Sequence, residues 1–232
     1  MKNSKNTKAV KNVKTYIPRQ SKIAAILWTV ILIAFTIVVA LVDVQAIGPE
    51  GSSVGLATIN GRFRDMIGES SAFKLVSNIG FYFLAAVCVF FAGLFIYQLV
   101  KRQSLRKVDK NLTALMYLYV MFAVLYLVFN SLIVINYRPV LKDGALDPSY
   151  PSTHMFLGII AGISAIDQIF VYVKDEDKRF ALMAVLWVAI LLSCLGRTMS
   201  GMHWLTDIFA GLIFASTCLA WYRRLWRRLE SK

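Results

Sequence analysis

Long apolar runs separated by short polar or charged segments dominate this chain. The runs extend from Ile23 to Val42, Leu75 to Val100, Leu112 to Ile135, Met155 to Val173, Phe180 to Leu195 and Leu205 to Tyr222, and only Asp167 and Asp207 interrupt them with a charge. Most match the roughly 20 residues that a helix needs to cross a hydrocarbon layer about 30 Å thick. The fifth run is short, and tilt or local bilayer thinning would accommodate it. The pattern therefore predicts an all-α polytopic membrane protein with six transmembrane helices. The first run exceeds the apolar core of a secretory leader, so it is expected to stay as a span despite a loosely leader-like Val44-Gln45-Ala46.

Between the first two runs, residues 43–73 hold Gly48, Pro49, Gly51 and Gly61, followed by RFRDMIGESSAF. The second half suits a short helix at the membrane interface, with Phe63, Ile67 and Phe73 near one face. Composition agrees with a membrane protein: 58% of the residues are hydrophobic and 17% charged, which excludes an ordinary soluble domain of this length. Cys88, Cys194 and Cys218 lie in or beside apolar runs without ligand-like spacing, and read as small buried hydrophobes.

The net charge of +13 raises the question of nucleic acid, and its distribution answers it. Apart from Arg62, Arg64, Lys74, Arg138, Lys142 and Arg197, every Lys and Arg falls in residues 1–22, 101–110, 174–179 or 223–232. Six spans put these four segments on one side, and the positive-inside rule makes that side cytoplasmic. No nucleic-acid partner is expected. The resulting organisation is a disordered basic cytoplasmic tail over 1–22, a six-span membrane domain over 23–222 and a basic cytoplasmic tail over 223–232.

This topology sends both histidines of the chain, His154 and His203, to the extracytoplasmic end of the bundle with Arg138, Arg197 and Asp207. His203 and Asp207 are four apart at the start of the sixth run, so on a helix the carboxylate would fix one imidazole tautomer and leave the other nitrogen free to attack. The bland reading of that pair is a hydrogen bond at a helix end. Arg138 and Arg197 suit a phosphate, since a guanidinium donates parallel charge-assisted bonds and keeps its proton. Taken singly, each reads first as an interfacial anchor that snorkels to the head groups; together, beside two histidines, they read as a phosphate clamp. Pro151-Ser152-Thr153-His154 opens the fourth run, where Ser152 or Thr153 can cap the helix and leave first-turn amides for an anion. Asp167 lies 13 residues past His154, roughly 20 Å down a helix, and is too remote for the same phosphate. Asn130 and Ser131 either face the substrate side of the third run or bond between helices.

Arg138-Pro139, then Pro151-Ser152-Thr153-His154, then Arg197 with His203 and Asp207, resembles the signature of the membrane-embedded type 2 phosphatidic acid phosphatase superfamily. The resemblance covers residues 75 to 222. It departs in three places: Ser131 stands where the family has a lysine, Gly196 where it has a serine before the second arginine, and Thr153 where a glycine is common. Lys142 is a possible auxiliary cation in place of the missing lysine. The resemblance implies His203 as nucleophile oriented by Asp207, and His154 as general acid and then base. It further implies Arg138, Arg197, Ser152 and Thr153 as phosphate-binding groups, with no metal and no cofactor. It implies a membrane lipid phosphate as substrate, with undecaprenyl diphosphate in a bacterial cytoplasmic membrane as the first expectation and phosphatidic acid or phosphatidylglycerol phosphate as alternatives. A phosphotransferase of the same fold and a non-catalytic binding protein or transporter are competing readings, and a monomer and a dimer fit the sequence equally.

Overall fold

The computed structural model describes residues 21–231. Residues 1–20, nearly all of the segment expected as a disordered tail, lie outside them. The described chain is helical, with a few isolated β-bridges in its loops. Six helices are long and apolar enough to cross a membrane: α1 (Lys22–Leu41), α3 (Ser71–Arg102), α4 (Lys110–Leu127, continued by a π turn, Val128–Leu132), α5 (Thr153–Tyr172), α6 (Glu176–Met199) and α7 (Leu205–Glu230). The short α2 (Ala57–Ile67) overlaps only the first half of the RFRDMIGESSAF segment expected to form an interfacial helix; it ends at Ile67, and Phe73 belongs to α3, whose start Ser70 caps.

Local chemistry sets several boundaries. Ser21 caps α1 by accepting the Ala24 N–H at 3.0 Å. Asp175 caps α6 in the same way through Lys178, and Glu176 and Asp177 in the first turn favour the positive end of the helix dipole. Helix α6 consequently begins before its apolar run and continues through Arg197, so the expected short fifth span has the length it needs. Helix α7 likewise runs on to Glu230. The stretch from 223, expected as a separate tail, is part of the last helix as far as the structure describes it.

Helices α5 and α7 form the centre of the bundle. Helix α1 packs on α7, α4 lies against α7, and α3 packs on α6 and α5. Lipid tails are as apolar as leucine, so helices in a membrane gain by close backbone approach rather than by hiding apolar surface from one another. Gly80 and Gly196 allow that approach between α3 and α6: a Cβ at Gly80 would come within 2.5 Å of the Ser193 nitrogen. Large apolar side chains such as Val89, Phe90 and Leu132 point outward, as a lipid-facing surface requires.

Buried polar residues are paired between helices. Asp167 receives two bonds from Arg223, at 2.9 and 3.0 Å, which neutralises a carboxylate in apolar surroundings. Nearby, Gln168 bridges Asn111 and the Tyr222 hydroxyl. These contacts tie α4, α5 and α7 together at the end of the bundle away from the histidines. The other end carries α2 and the long connection between α4 and α5.

Candidate active site

Three connections, one of them a glycine turn, bring the site together. The chain leaves α4 through the π turn, runs extended past Asn136 and Arg138, and returns through Asp147 to Pro151, whose peptide bond with Tyr150 is cis. Antiparallel contacts between the Tyr137 and Pro148 regions hold this loop, including Arg138 N–H to Asp147 carbonyl at 2.9 Å. Between α6 and α7 the backbone reverses at Gly201, whose φ of +69° suits glycine, and whose missing side chain admits the Gly68 carbonyl.

Helix α2 fixes that turn from the side. The Arg64 guanidinium donates to the Gly201 carbonyl. Asn60 is fully buried; it donates to Thr206 Oγ1 at 2.9 Å and accepts the Thr206 N–H at 3.1 Å, satisfying an otherwise free amide in the first turn of α7. The segment expected only to lie at the interface is thus a brace for the histidine turn. A lone Asn and Arg in an amphipathic stretch gave no sequence signal of this.

His203 precedes α7 rather than lying on it, because Trp204 is the N-cap residue. Its pairing with Asp207 is therefore not the helical i,i+4 contact that the spacing suggests. Asp207 sits in the first turn and accepts the Trp204 N–H at 3.1 Å, and the same oxygen lies 3.5 Å from His203 Nδ1. Its other oxygen accepts from Asn136 Nδ2 at 2.9 Å. Both Asp207 and His203 are buried. On the opposite side of the ring, Arg138 Nη1 stands 2.9 Å from His203 Nε2. A guanidinium only donates, so Nε2 accepts and the imidazole proton is on Nδ1, facing Asp207. Burial, followed by the positive charges of Arg138 and Arg197, holds the His203 pKa well below its ordinary value of 6.5.

The two arginines are held differently. Arg138 pairs through Nε with Asp147, which also lies 3.8 Å from Lys142 Nζ. Lys142 thereby belongs to the rim of the site, with its side chain more than half exposed. Arg197 is in the last turn of α6, not in the connecting loop where its position in the sequence suggested it. It is buried, its Nε has no hydrogen-bond partner among the described residues, and its charge reaches both His154 and His203. Ser152 occupies the N-cap position of α5, but its hydroxyl makes no cap bond and is buried without a partner. Its backbone N–H is committed to the Asp207 carbonyl at 3.0 Å, which locks the start of α5 to the start of α7. Thr153 lines a small crevice with Asn130 and Tyr126.

His154 stacks on Phe81 with ring centroids 4.2 Å apart, and its Nε2 is 3.1 Å from Asn78 Oδ1. Asn78 and Phe81 come from α3 and were not singled out in the sequence. Asn136 and Asp147 were missed as well, since each acts through a site residue distant from it in the chain. Ser131, at the position of the family lysine, lies in the exposed part of the π turn.

The arrangement gathers a neutral, buried imidazole, a second imidazole, two guanidiniums and an unbonded hydroxyl at one end of a membrane bundle. It belongs to a multi-pass membrane protein, with six helices long and apolar enough to cross a bilayer among the described residues. The model of the PAP2 superfamily matches residues 130–230, the stretch that holds every one of these histidines and arginines. The fold is similar to the crystal structure of a transmembrane PAP2 type phosphatidylglycerolphosphate phosphatase from Bacillus subtilis. The two share 15% identity over 90% of this chain and 94% of that chain, with a TM-score of 0.53. No curated protein sequence matches the chain.

Proposed function

We propose that the protein removes a phosphate from a membrane lipid through a phosphohistidine at His203, with the site at the extracytoplasmic face of a bacterial cytoplasmic membrane and both termini in the cytoplasm. The observation that carries this is the set of contacts on the His203 ring: neutral, its proton toward Asp207, its Nε2 lone pair toward Arg138.

In the first step the Nε2 lone pair forms a bond to phosphorus as the ester or anhydride P–O bond breaks. Arg138 turns from Nε2 to the phosphoryl oxygens, and Arg197, with the Ser152 hydroxyl, neutralises the charge that spreads over them. His154, which must enter this step as the imidazolium alongside the anionic substrate, gives its Nε2 proton to the departing oxygen and is left as neutral imidazole; in the free protein that nitrogen faces Asn78. Asp207 balances the positive charge that the phosphorylated ring acquires. In the second step His154 takes a proton from water, the resulting hydroxide attacks phosphorus, and the N–P bond breaks to restore neutral His203. None of these steps requires a metal ion.

Undecaprenyl diphosphate is the first substrate reading. It supplies two phosphates, one for the Arg138–Arg197 pair and one for Lys142 at the rim. Phosphatidylglycerol phosphate, which also carries two, is the second; similarity to the Bacillus subtilis phosphatidylglycerolphosphate phosphatase favours it. The test is phosphate release by purified protein in EDTA from these two lipids and from phosphatidic acid, beside His203→Ala. The wild type is expected to release phosphate and the variant to lose on the order of 10³-fold or more. Unchanged release by the variant would refute the phosphohistidine, and transfer of phosphate to a second lipid would make the protein a phosphotransferase.

A further inference from the structure

At the end of the bundle opposite His203, α4 and α7 part to form a groove of about 420 Å³. Trp221, Arg224 and Arg228 line it from α7, spaced three and four residues apart so that they share one face. Tyr117, Val120 and Met121 line it from α4 with the same kind of spacing. The walls are apolar and aromatic, and the two guanidiniums supply its charge.

Arg224 is 19 residues and Arg228 is 23 residues beyond Leu205 on one helix, roughly 28 and 35 Å from the start of α7. That distance is about a full hydrocarbon thickness, so the groove meets the leaflet opposite the histidines. A neighbouring arginine, Arg223, is committed to Asp167, and Arg102 at the same end is committed to Asp109. Among the described residues no hydrogen bond or ion pair engages the side chains of Arg224 and Arg228. Trp221 is fixed as a wall by its indole N–H, which donates to Thr29 Oγ1 at 3.0 Å. Tyr117 is 56% exposed at the mouth, where an amphipathic ring suits a membrane interface.

We propose that this groove binds one anionic phospholipid, with its phosphate between Arg224 and Arg228 and the upper part of its chains along Val120 and Met121. Charge complementarity selects the headgroup. A soluble anion would leave the apolar walls uncovered, and a zwitterionic lipid would bring its own cation to the arginines. The site lies across the membrane from the phosphatase centre, so its lipid is a bound component and not the substrate in turnover.

Native mass spectrometry of the full chain from detergent, with phosphatidylglycerol and phosphatidylcholine supplied in equal amount, tests this. The wild type is expected to retain one phosphatidylglycerol in preference to phosphatidylcholine, and R224Q/R228Q to lose that retention roughly tenfold or more. Val120→Trp, which fills the groove without altering charge, is expected to lose it as well. R106Q/K107Q removes two basic residues elsewhere at the same end and is expected to keep it. Retention by R224Q/R228Q, an equal loss in R106Q/K107Q, or displacement of the lipid by inorganic phosphate would overturn the assignment.

Discussion

The Asp207 carboxylate stands 3.5 Å from Nδ1 of His203 while it caps its own helix through the Trp204 amide. One side chain thus caps the start of α7 and faces Nδ1 of the histidine just before it without a hydrogen bond to it. Asp207→Asn would present an amide where a carboxylate now faces the ring, and the positive charge of the phosphorylated ring would lose its counterion. We expect kcat to fall about 10⁴-fold, by analogy with the triad aspartate of serine proteases, while the protein stays folded. Phosphate release and thermal unfolding of the same preparation measure both quantities. Activity within tenfold of wild type would show that Asp207 serves only as a cap.

Acidification should affect stability before it affects the nucleophile. Burial and the arginine charges depress the His203 pKa in the folded state below the ordinary 6.5. Above that value both folded and unfolded chains carry neutral imidazole, and the group has no effect on stability. As the pH falls below 6.5 the unfolded state takes up a proton that the folded state refuses, so stability declines progressively toward the lower folded pKa. His203→Gln, which has no titrating ring, is expected to flatten this part of the profile of unfolding temperature against pH. The rate of hydrolysis by the wild type is expected to show no half-loss centred at 6.5 from His203. A titration of the His203 ring at 6.5 by NMR would contradict the burial and charge argument.

The phosphate-binding role proposed for Arg197 separates binding from stability in a testable way. Its guanidinium is buried without a hydrogen-bonded partner on Nε, with Asp147 the acidic group that acts on its charge, and burying an incompletely paired charge costs several kcal/mol. Replacing it by methionine removes that cost and retains much of the volume. Arg197→Met is expected to melt at the same temperature as wild type or higher, and to lose about 10²- to 10³-fold in kcat/KM. A variant that melts well below wild type would place Arg197 in the structural framework instead.

Much of this was legible before any coordinates. Hydrophobic run length marks the six spans because a bilayer demands about 20 apolar residues of each, and the resemblance picked out His154, His203, Asp207 and the arginines by interval. What intervals do not carry is which groups hold them. Asn136 reaches Asp207, Asn78 reaches His154, and Asn60 reaches Thr206, each through a pairing set by the bundle rather than by local sequence. Helix ends were also misplaced where caps and charged first turns extend a helix past its apolar run, which is why Arg197 lies on α6. The hydroxyl of Ser152, read as a cap from its position, is left free because the α5 start is fixed by its backbone bond to Asp207.

Gly196 gives the departure from the family's serine a steric reason. A Cβ there would lie 2.8 Å from the Ser77 nitrogen, 3.0 Å from its Cα and 3.1 Å from the Phe73 carbonyl oxygen. All three are backbone atoms of α3, so no side-chain rotation relieves the contact, and α3 would have to withdraw from α6. Asn78 follows Ser77 directly, so the same displacement would carry Oδ1 away from His154. Gly196→Ser is therefore expected to lower stability by about 1–3 kcal/mol and to reduce activity in parallel, even though it restores the serine of the pattern that the sequence resembles. Thermal unfolding and phosphate release of this variant, compared with Asn78→Ala, separate the two effects: if the serine acts through α3, both variants lose activity and only Gly196→Ser loses stability. A Gly196→Ser protein as stable and as active as wild type would mean that α3 and α6 are not held this close.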